Sequence, residues 1–128
     1  MRRLFDTQLL VWALIQPKRL SPVAARLLTD PDGTAIYSAV TVWEVAIKSG
    51  LKKPDFNIDP DDFLRALRMT GFEELPVLPD HTLWVTDLPG IHQDPFDRLL
   101  IAQAIAEDLV FVTADKTIAK YPGNILKV

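Results

Sequence analysis

Short apolar runs alternate with longer amphipathic stretches along this chain, and a proline or a glycine stands in most of the gaps between them. Period and punctuation together set which elements form and where they stop, so no other feature narrows the fold as far. Residues 3–5, 35–38, 73–77, 109–113 and 124–127 read as strands, the fourth of them on its β-branched content. Helices are expected over 7–16, from Pro22 onward behind a Ser21 cap, over 40–49 with Gly50 as the stop, over 60–70 and over 79–87. The strongest, over 95–108, has Asp94 as its cap and Pro95 in its first position. Strands separated by helices pair in parallel through right-handed crossovers, which implies an α/β fold: a parallel central sheet of about four to five strands flanked by helices on both faces.

At 128 residues, 48% hydrophobic and 24% charged, the chain has the apolar content of one compact domain, expected to span residues 1–128. It has no cysteine, which excludes disulfides, thiolate metal sites and a cysteine nucleophile and points to the cytoplasm. The basic start Met1-Arg2-Arg3 is followed by Asp6 and Gln8 before a signal-peptide core can form, and no apolar run approaches the ~20 residues that span a bilayer. A net charge of −3 argues against coating nucleic acid by bulk electrostatics. It leaves room for a nuclease, because acidic metal ligands count in that sum and a bound cation would invert the local sign.

In open parallel sheets the ligand site lies at the carboxyl ends of the strands. Asp6 directly follows Leu4-Phe5, and Asp115 lies two residues beyond Thr113, so both acids are expected at that edge. Each also has a local reading, Asp6 as the cap of the helix starting at Thr7 and Asp115 as the cap of a turn at Lys116 to Ala119. Glu44 sits in Val40-Thr41-Val42-Trp43-Glu44-Val45-Ala46-Ile47, apolar nearly all round, where a carboxylate needs a partner or a solvated cleft. Its local alternatives are a capping box with Thr41 and an i,i+4 pair with Lys48, although Ser38 is an equally good cap and would leave Glu44 in mid-helix. Asp97 occupies the first turn of the strongest helix and shares a face with Ile101, but the helix dipole favours an acid there in any case. Asp94 is assigned to capping alone.

Four acids at one sheet edge cannot all stay ionised without a cation. Oxygen ligands select hard ions, hence Mg²⁺ or Mn²⁺ rather than zinc, and the two histidines, His81 and His92, read as surface or loop residues. Such a cluster suits water attack on a phosphodiester. Thr113 either adds a hydroxyl to it through water or is an ordinary strand threonine. Lys48, Lys52, Lys53 and Arg98 are candidates for RNA phosphate contacts, with solvated surface charge as the default for each. Trp12, Trp43 and Trp84 are explained most simply by core packing.

The segments Leu4-Phe5-Asp6-Thr7, Ser38-Ala39-Val40-Thr41-Val42-Trp43-Glu44, His92-Gln93-Asp94-Pro95-Phe96-Asp97-Arg98-Leu99-Leu100-Ile101-Ala102-Gln103-Ala104 and Val112-Thr113-Ala114-Asp115 resemble, in order and spacing, the PIN-domain nucleases and among them the VapC-like toxins of toxin–antitoxin pairs. The resemblance spans almost the whole chain. It implies that Asp6, Glu44, Asp97 and Asp115 bind Mg²⁺ or Mn²⁺ and support RNA cleavage, that the protein is a homodimer, and that a small antitoxin inhibits it. Two other classes compete: a non-catalytic protein-binding module, which has no need of all four acids, and a phosphatase or receiver-like domain. The last is disfavoured because Asp6-Thr7-Gln8 lacks a second acid two residues on.

Overall fold

The computed structural model describes residues 1–128. Five strands, β1 (Arg2–Phe5), β2 (Thr34–Ser38), β3 (Glu73–Leu75), β4 (Val110–Thr113) and β5 (Ile125–Lys127), join in one sheet of order β3-β2-β1-β4-β5. Every pairing is parallel. Six α-helices accompany them: α1 (Thr7–Ile15), α2 (Pro22–Leu28), α3 (Ala39–Gly50), α4 (Pro60–Met69), α5 (Pro79–Trp84) and α6 (Pro95–Ala106).

Successive side chains of a strand point to opposite faces, and the sheet carries a core on each. Leu4, Ile36 and Phe111 pack on one face with Leu100, Ile101 and Ala104 of α6. Phe5, Tyr37, Val110 and Val112 pack on the other with Leu9 and Leu10 of α1, Leu28 of α2 and Phe63 and Leu67 of α4. Burial on both faces is why the inner strands read as unbroken apolar runs rather than as alternating ones.

Chain order builds outward from β1 in two directions, through β2 and β3 on one side and through β4 and β5 on the other. The direction reverses between β1 and β4, and a doubly wound sheet opens a crevice at that point, beyond the carboxyl ends of the two strands. The Asp6 amide still donates to the Val112 carbonyl at 2.9 Å, so β1 and β4 stay paired up to the crevice.

The helix starts follow their caps: Ser21 accepts from Ala24 N, Ser38 from Val40 N, and Asp94 from Phe96 N and Asp97 N. Two stops differ from expectation. Gly50 lies inside α3, and the left-handed residue that turns the chain is Lys52, at φ 53°. The helix expected to reach Asp108 ends at Ala106, because Asp108 adopts φ 54°, which no α-helix accommodates. The segment expected as one helix over 79–87 is α5 followed by a 3₁₀ turn, Val85–Asp87. No helix is long and apolar enough to cross a membrane.

Candidate active site

The Asp6 side chain is 5% exposed and, although Asp6 precedes α1, makes no capping hydrogen bond. It instead accepts a 2.7 Å hydrogen bond from Thr113 Oγ1, across the seam between β1 and β4. Thr113, fully buried, also accepts from the Asp115 amide at 3.0 Å. Asp115 does cap the turn that follows: its Oδ1 accepts from Thr117 N at 2.7 Å and from Ile118 N at 3.3 Å. That capping uses one carboxylate oxygen and leaves the other for the crevice.

Ser38 begins α3, so Glu44 stands in mid-helix outside any capping box, and Thr41 spends its hydroxyl on Thr7 at 2.9 Å. Glu44 is 4% exposed. Oε2 pairs with Lys48 Nζ at 2.5 Å, the i,i+4 contact, while Oε1 is buried without a hydrogen-bond partner. An orphaned carboxylate oxygen facing a cleft of other carboxylates is a costly arrangement unless a cation belongs there.

Asp97 is placed by α6: Asp94 Oδ1 takes the Phe96 and Asp97 amides at 2.8 and 3.1 Å, which fixes the first turn and turns the Asp97 side chain inward. The Asp97 carboxylate keeps 14% of its surface exposed, and its Oδ2 lies 3.0 Å from His92 Nε2. Ligand atoms of His92, Asp97 and Asp115 all fall within 4.8 Å of one another.

Asp6, Glu44, Asp97 and Asp115 thus line a single cleft of about 740 Å³ at the carboxyl edge of the sheet. Their electrostatics are mutually hostile. Burial pushes the Asp97 carboxyl up to about 8, and the charges of Asp6, Asp94, Glu44 and Asp115 add to the rise. Burial also raises Asp6 to about 6, against the Thr113 hydrogen bond that lowers it and with the charge of Glu44 in support. A cleft with raised carboxyls and one orphaned oxygen fits a divalent cation, for which these four side chains, with Asp94 also in the lining, offer carboxylate donors.

Several neighbours depart from the sequence reading. His92 does lie in a loop, yet it belongs to the acid cluster; the only local hint is its place two residues before the Asp94 cap. His81 is a core residue of α5, 1% exposed, whose Nδ1 accepts the Leu78 amide at 3.0 Å and faces the buried Gln103 amide at 3.2 Å. Arg98 is engaged within the protein rather than free at the surface: its guanidinium bonds the carbonyls of Pro89, His92 and Val85 at 2.8, 3.4 and 3.1 Å and Tyr121 Oη at 3.2 Å. Lys48 lines the cleft, while Lys52 and Lys53 are exposed outside its lining. Arg19, which the sequence did not single out, lines it beside Trp12, 5.1 Å from the ring centroid. Core packing does not account for Trp43 and Trp84, which are 50% and 41% exposed; Trp43 meets Phe96 edge-on at 4.7 Å.

The sequence pattern of the PIN domain matches residues 3–124. Similar folds occur in VapBC2 from Rickettsia felis bound to a DNA fragment from its promoter, with TM-score 0.73, 18% identity, and 99% of this chain and 98% of that one covered. DNA-bound VapBC from Salmonella typhimurium gives TM-score 0.71 at 15% identity over 99% and 98% of the two chains. A toxin–antitoxin complex from Klebsiella pneumoniae gives 0.65 at 17% identity over 98% and 96%. No curated protein matches the sequence.

Proposed function

This chain belongs to the PIN-domain family, and from that membership we propose that residues 1–128 form one metal-dependent endoribonuclease domain, the toxin of a toxin–antitoxin pair. The observation that carries the reading is the convergence of Asp6, Glu44, Asp97 and Asp115, from four separated stretches, on one cleft in which Glu44 Oε1 has no partner. A module that only binds protein has no use for four mutually repelling carboxylates. The resemblance of the fold to VapBC and toxin–antitoxin complexes supports a proteinaceous antitoxin as partner.

In this reading Asp6, Glu44, Asp97 and Asp115 hold Mg²⁺ or Mn²⁺. Bound there, the cation supplies positive charge for the phosphodiester and lowers the pKa of the attacking water. The protein's own part is to keep the donors in place. Thr113 ties the Asp6 carboxylate to the backbone of Asp115, which holds the two residues beside each other. Lys48 offsets the charge of Glu44 and, like Arg19, lines the cleft that a phosphate would enter. Location in the cytoplasm and a homodimer complete the proposal.

A second reading, a non-catalytic protein-binding module, draws on the exposed side chains of Trp43, Ile47, Leu83 and Trp84. Incubating a mixed RNA pool with the purified protein in Mg²⁺ or Mn²⁺, beside EDTA and Asp6→Asn controls, separates the two. Cleavage that both controls abolish is expected of the nuclease. If the folded, metal-supplied wild type cuts no more than Asp6→Asn, the binding module is the better account.

A further inference from the structure

The loop ahead of α6 is held with unusual care for a surface segment. The His92 amide donates to Tyr121 Oη at 2.7 Å, and the His92 carbonyl accepts from Tyr121 Oη at 3.2 Å and from Arg98 at 3.4 Å. Arg98 also donates to Tyr121 Oη and to the carbonyls of Pro89 and Val85 earlier in the same segment. The clasp fixes the His92 backbone, and its imidazole, 28% exposed, reaches Asp97 at the rim of the acid cleft.

Where that imidazole points is informative. Its Nε2 is 3.0 Å from Asp97 Oδ2, and ligand atoms of His92, Asp97 and Asp115 lie within 4.8 Å of one another. Two ligands at right angles, each ~2.1 Å from one ion, stand ~3.0 Å apart, so this hydrogen-bonding distance also suits neighbouring donors around a common centre. On the far side of the ring the Asp94 amide approaches Nδ1 at 3.5 Å, the long limit of a hydrogen bond. With an ion bound, coordination by Nε2 and Asp97 Oδ2 would replace their direct 3.0 Å contact.

We propose that His92 is a nitrogen ligand of the cleft and, with Asp97 and Asp115, makes a mixed nitrogen–oxygen cation subsite on the α6 side of the acid quartet. The inference rests on the cation reading above and changes its selectivity. Imidazole adds little for Mg²⁺ and progressively more along the first-row series, in which Mn²⁺ binds nitrogen most weakly, so His92 biases the cleft toward transition ions over Mg²⁺. The all-oxygen site expected from sequence becomes a site with one nitrogen.

Mn²⁺ binding to the full chain tests this without relying on RNA cleavage. Pulsed electron paramagnetic resonance of the Mn²⁺-loaded wild type should show coupling to an imidazole nitrogen that His92→Ala lacks. Calorimetric titration should show Mn²⁺ affinity falling at least tenfold in His92→Ala, with Mg²⁺ affinity changed less than threefold. Mn²⁺ bound by the wild type with no nitrogen coupling would overturn the role of His92 while leaving the four-acid reading standing. A folded wild type that binds no Mn²⁺ would overturn both. The wild-type spectrum decides the matter even if His92→Ala fails to fold.

Discussion

Thr113 Oγ1 donates a 2.7 Å hydrogen bond to Asp6 Oδ2 across 107 residues of sequence, and the same oxygen accepts the Asp115 amide at 3.0 Å. One fully buried hydroxyl therefore joins the ends of β1 and β4 and fixes the spacing of two cleft carboxylates. Replacing it with a methyl leaves a buried acceptor and a donor unsatisfied, a loss of about 1–3 kcal/mol. Thr113→Val should lower the urea midpoint accordingly, whereas Thr113→Ser, which keeps the oxygen, should stay near wild type in both stability and RNA cleavage. Equal urea midpoints for Thr113→Val and wild type would contradict the role given to the hydroxyl.

The acids of the cleft serve function at the expense of the metal-free fold. Asp97→Asn keeps the shape of the side chain and removes one of the repelling charges. In EDTA at pH 8.5 the variant should be more stable than wild type by on the order of 1 kcal/mol, a figure discounted for the solvent that reaches the cleft. Its cleavage should fall to background. Thermal melts and a cleavage assay on one preparation measure both, and a variant less stable than wild type in EDTA would count against mutual repulsion.

The pH dependence has a definite sign. Asp97 at about 8 and Asp6 at about 6 lie above the usual carboxylate value of 3.8, so the folded protein holds protons that the unfolded chain has already released. The metal-free stability these two groups contribute is complete below about pH 4, and it is lost as pH rises through about 6 for Asp6 and about 8 for Asp97. A divalent cation binds the ionised carboxylates, so its stabilising effect should grow across the same window. Melting temperatures from pH 5 to 8.5, with EDTA and with Mn²⁺, should diverge as pH rises. Parallel curves would show that the cation does not engage these carboxylates.

Arg98 separates structure from substrate binding. Its guanidinium bridges three carbonyls and one hydroxyl, a span that a lysine ammonium cannot cover. Arg98→Lys keeps the charge yet should cost about 2 kcal/mol in unfolding free energy, with the salt dependence of RNA binding unchanged. A stable Arg98→Lys whose RNA binding weakens would restore the phosphate-contact reading.

Much of this was legible in the residues because it depends on local rules. Ser38, Ser21 and Asp94 are good caps, and each does start its helix; from Ser38 as cap, the mid-helix place of Glu44 follows. The apolar runs place Asp6 and Asp115 at one sheet edge because parallel strands end together. What failed depends on contacts that sequence spacing does not carry. His92 lies in a loop as read, but spacing does not show that Tyr121, 29 positions away, binds its backbone where the side chain reaches Asp97. Arg98 reads as a free cation until the loop carbonyls converge on it. Gly50 reads as a stop, yet glycine permits a left-handed turn without requiring one, and the chain turns at Lys52 instead. Trp43 and Trp84 are apolar enough for the core, but the two cores are already filled by strand and helix residues.

The most direct test is X-ray diffraction from crystals soaked in Mn²⁺, recorded above and below the manganese absorption edge. An anomalous peak within coordination distance of Asp6, Glu44, Asp97 and Asp115, absent from Asp6→Asn crystals treated alike, is the expected result. A cleft with no peak, or manganese bound only elsewhere on the surface, would contradict the assignment of these carboxylates to a metal centre.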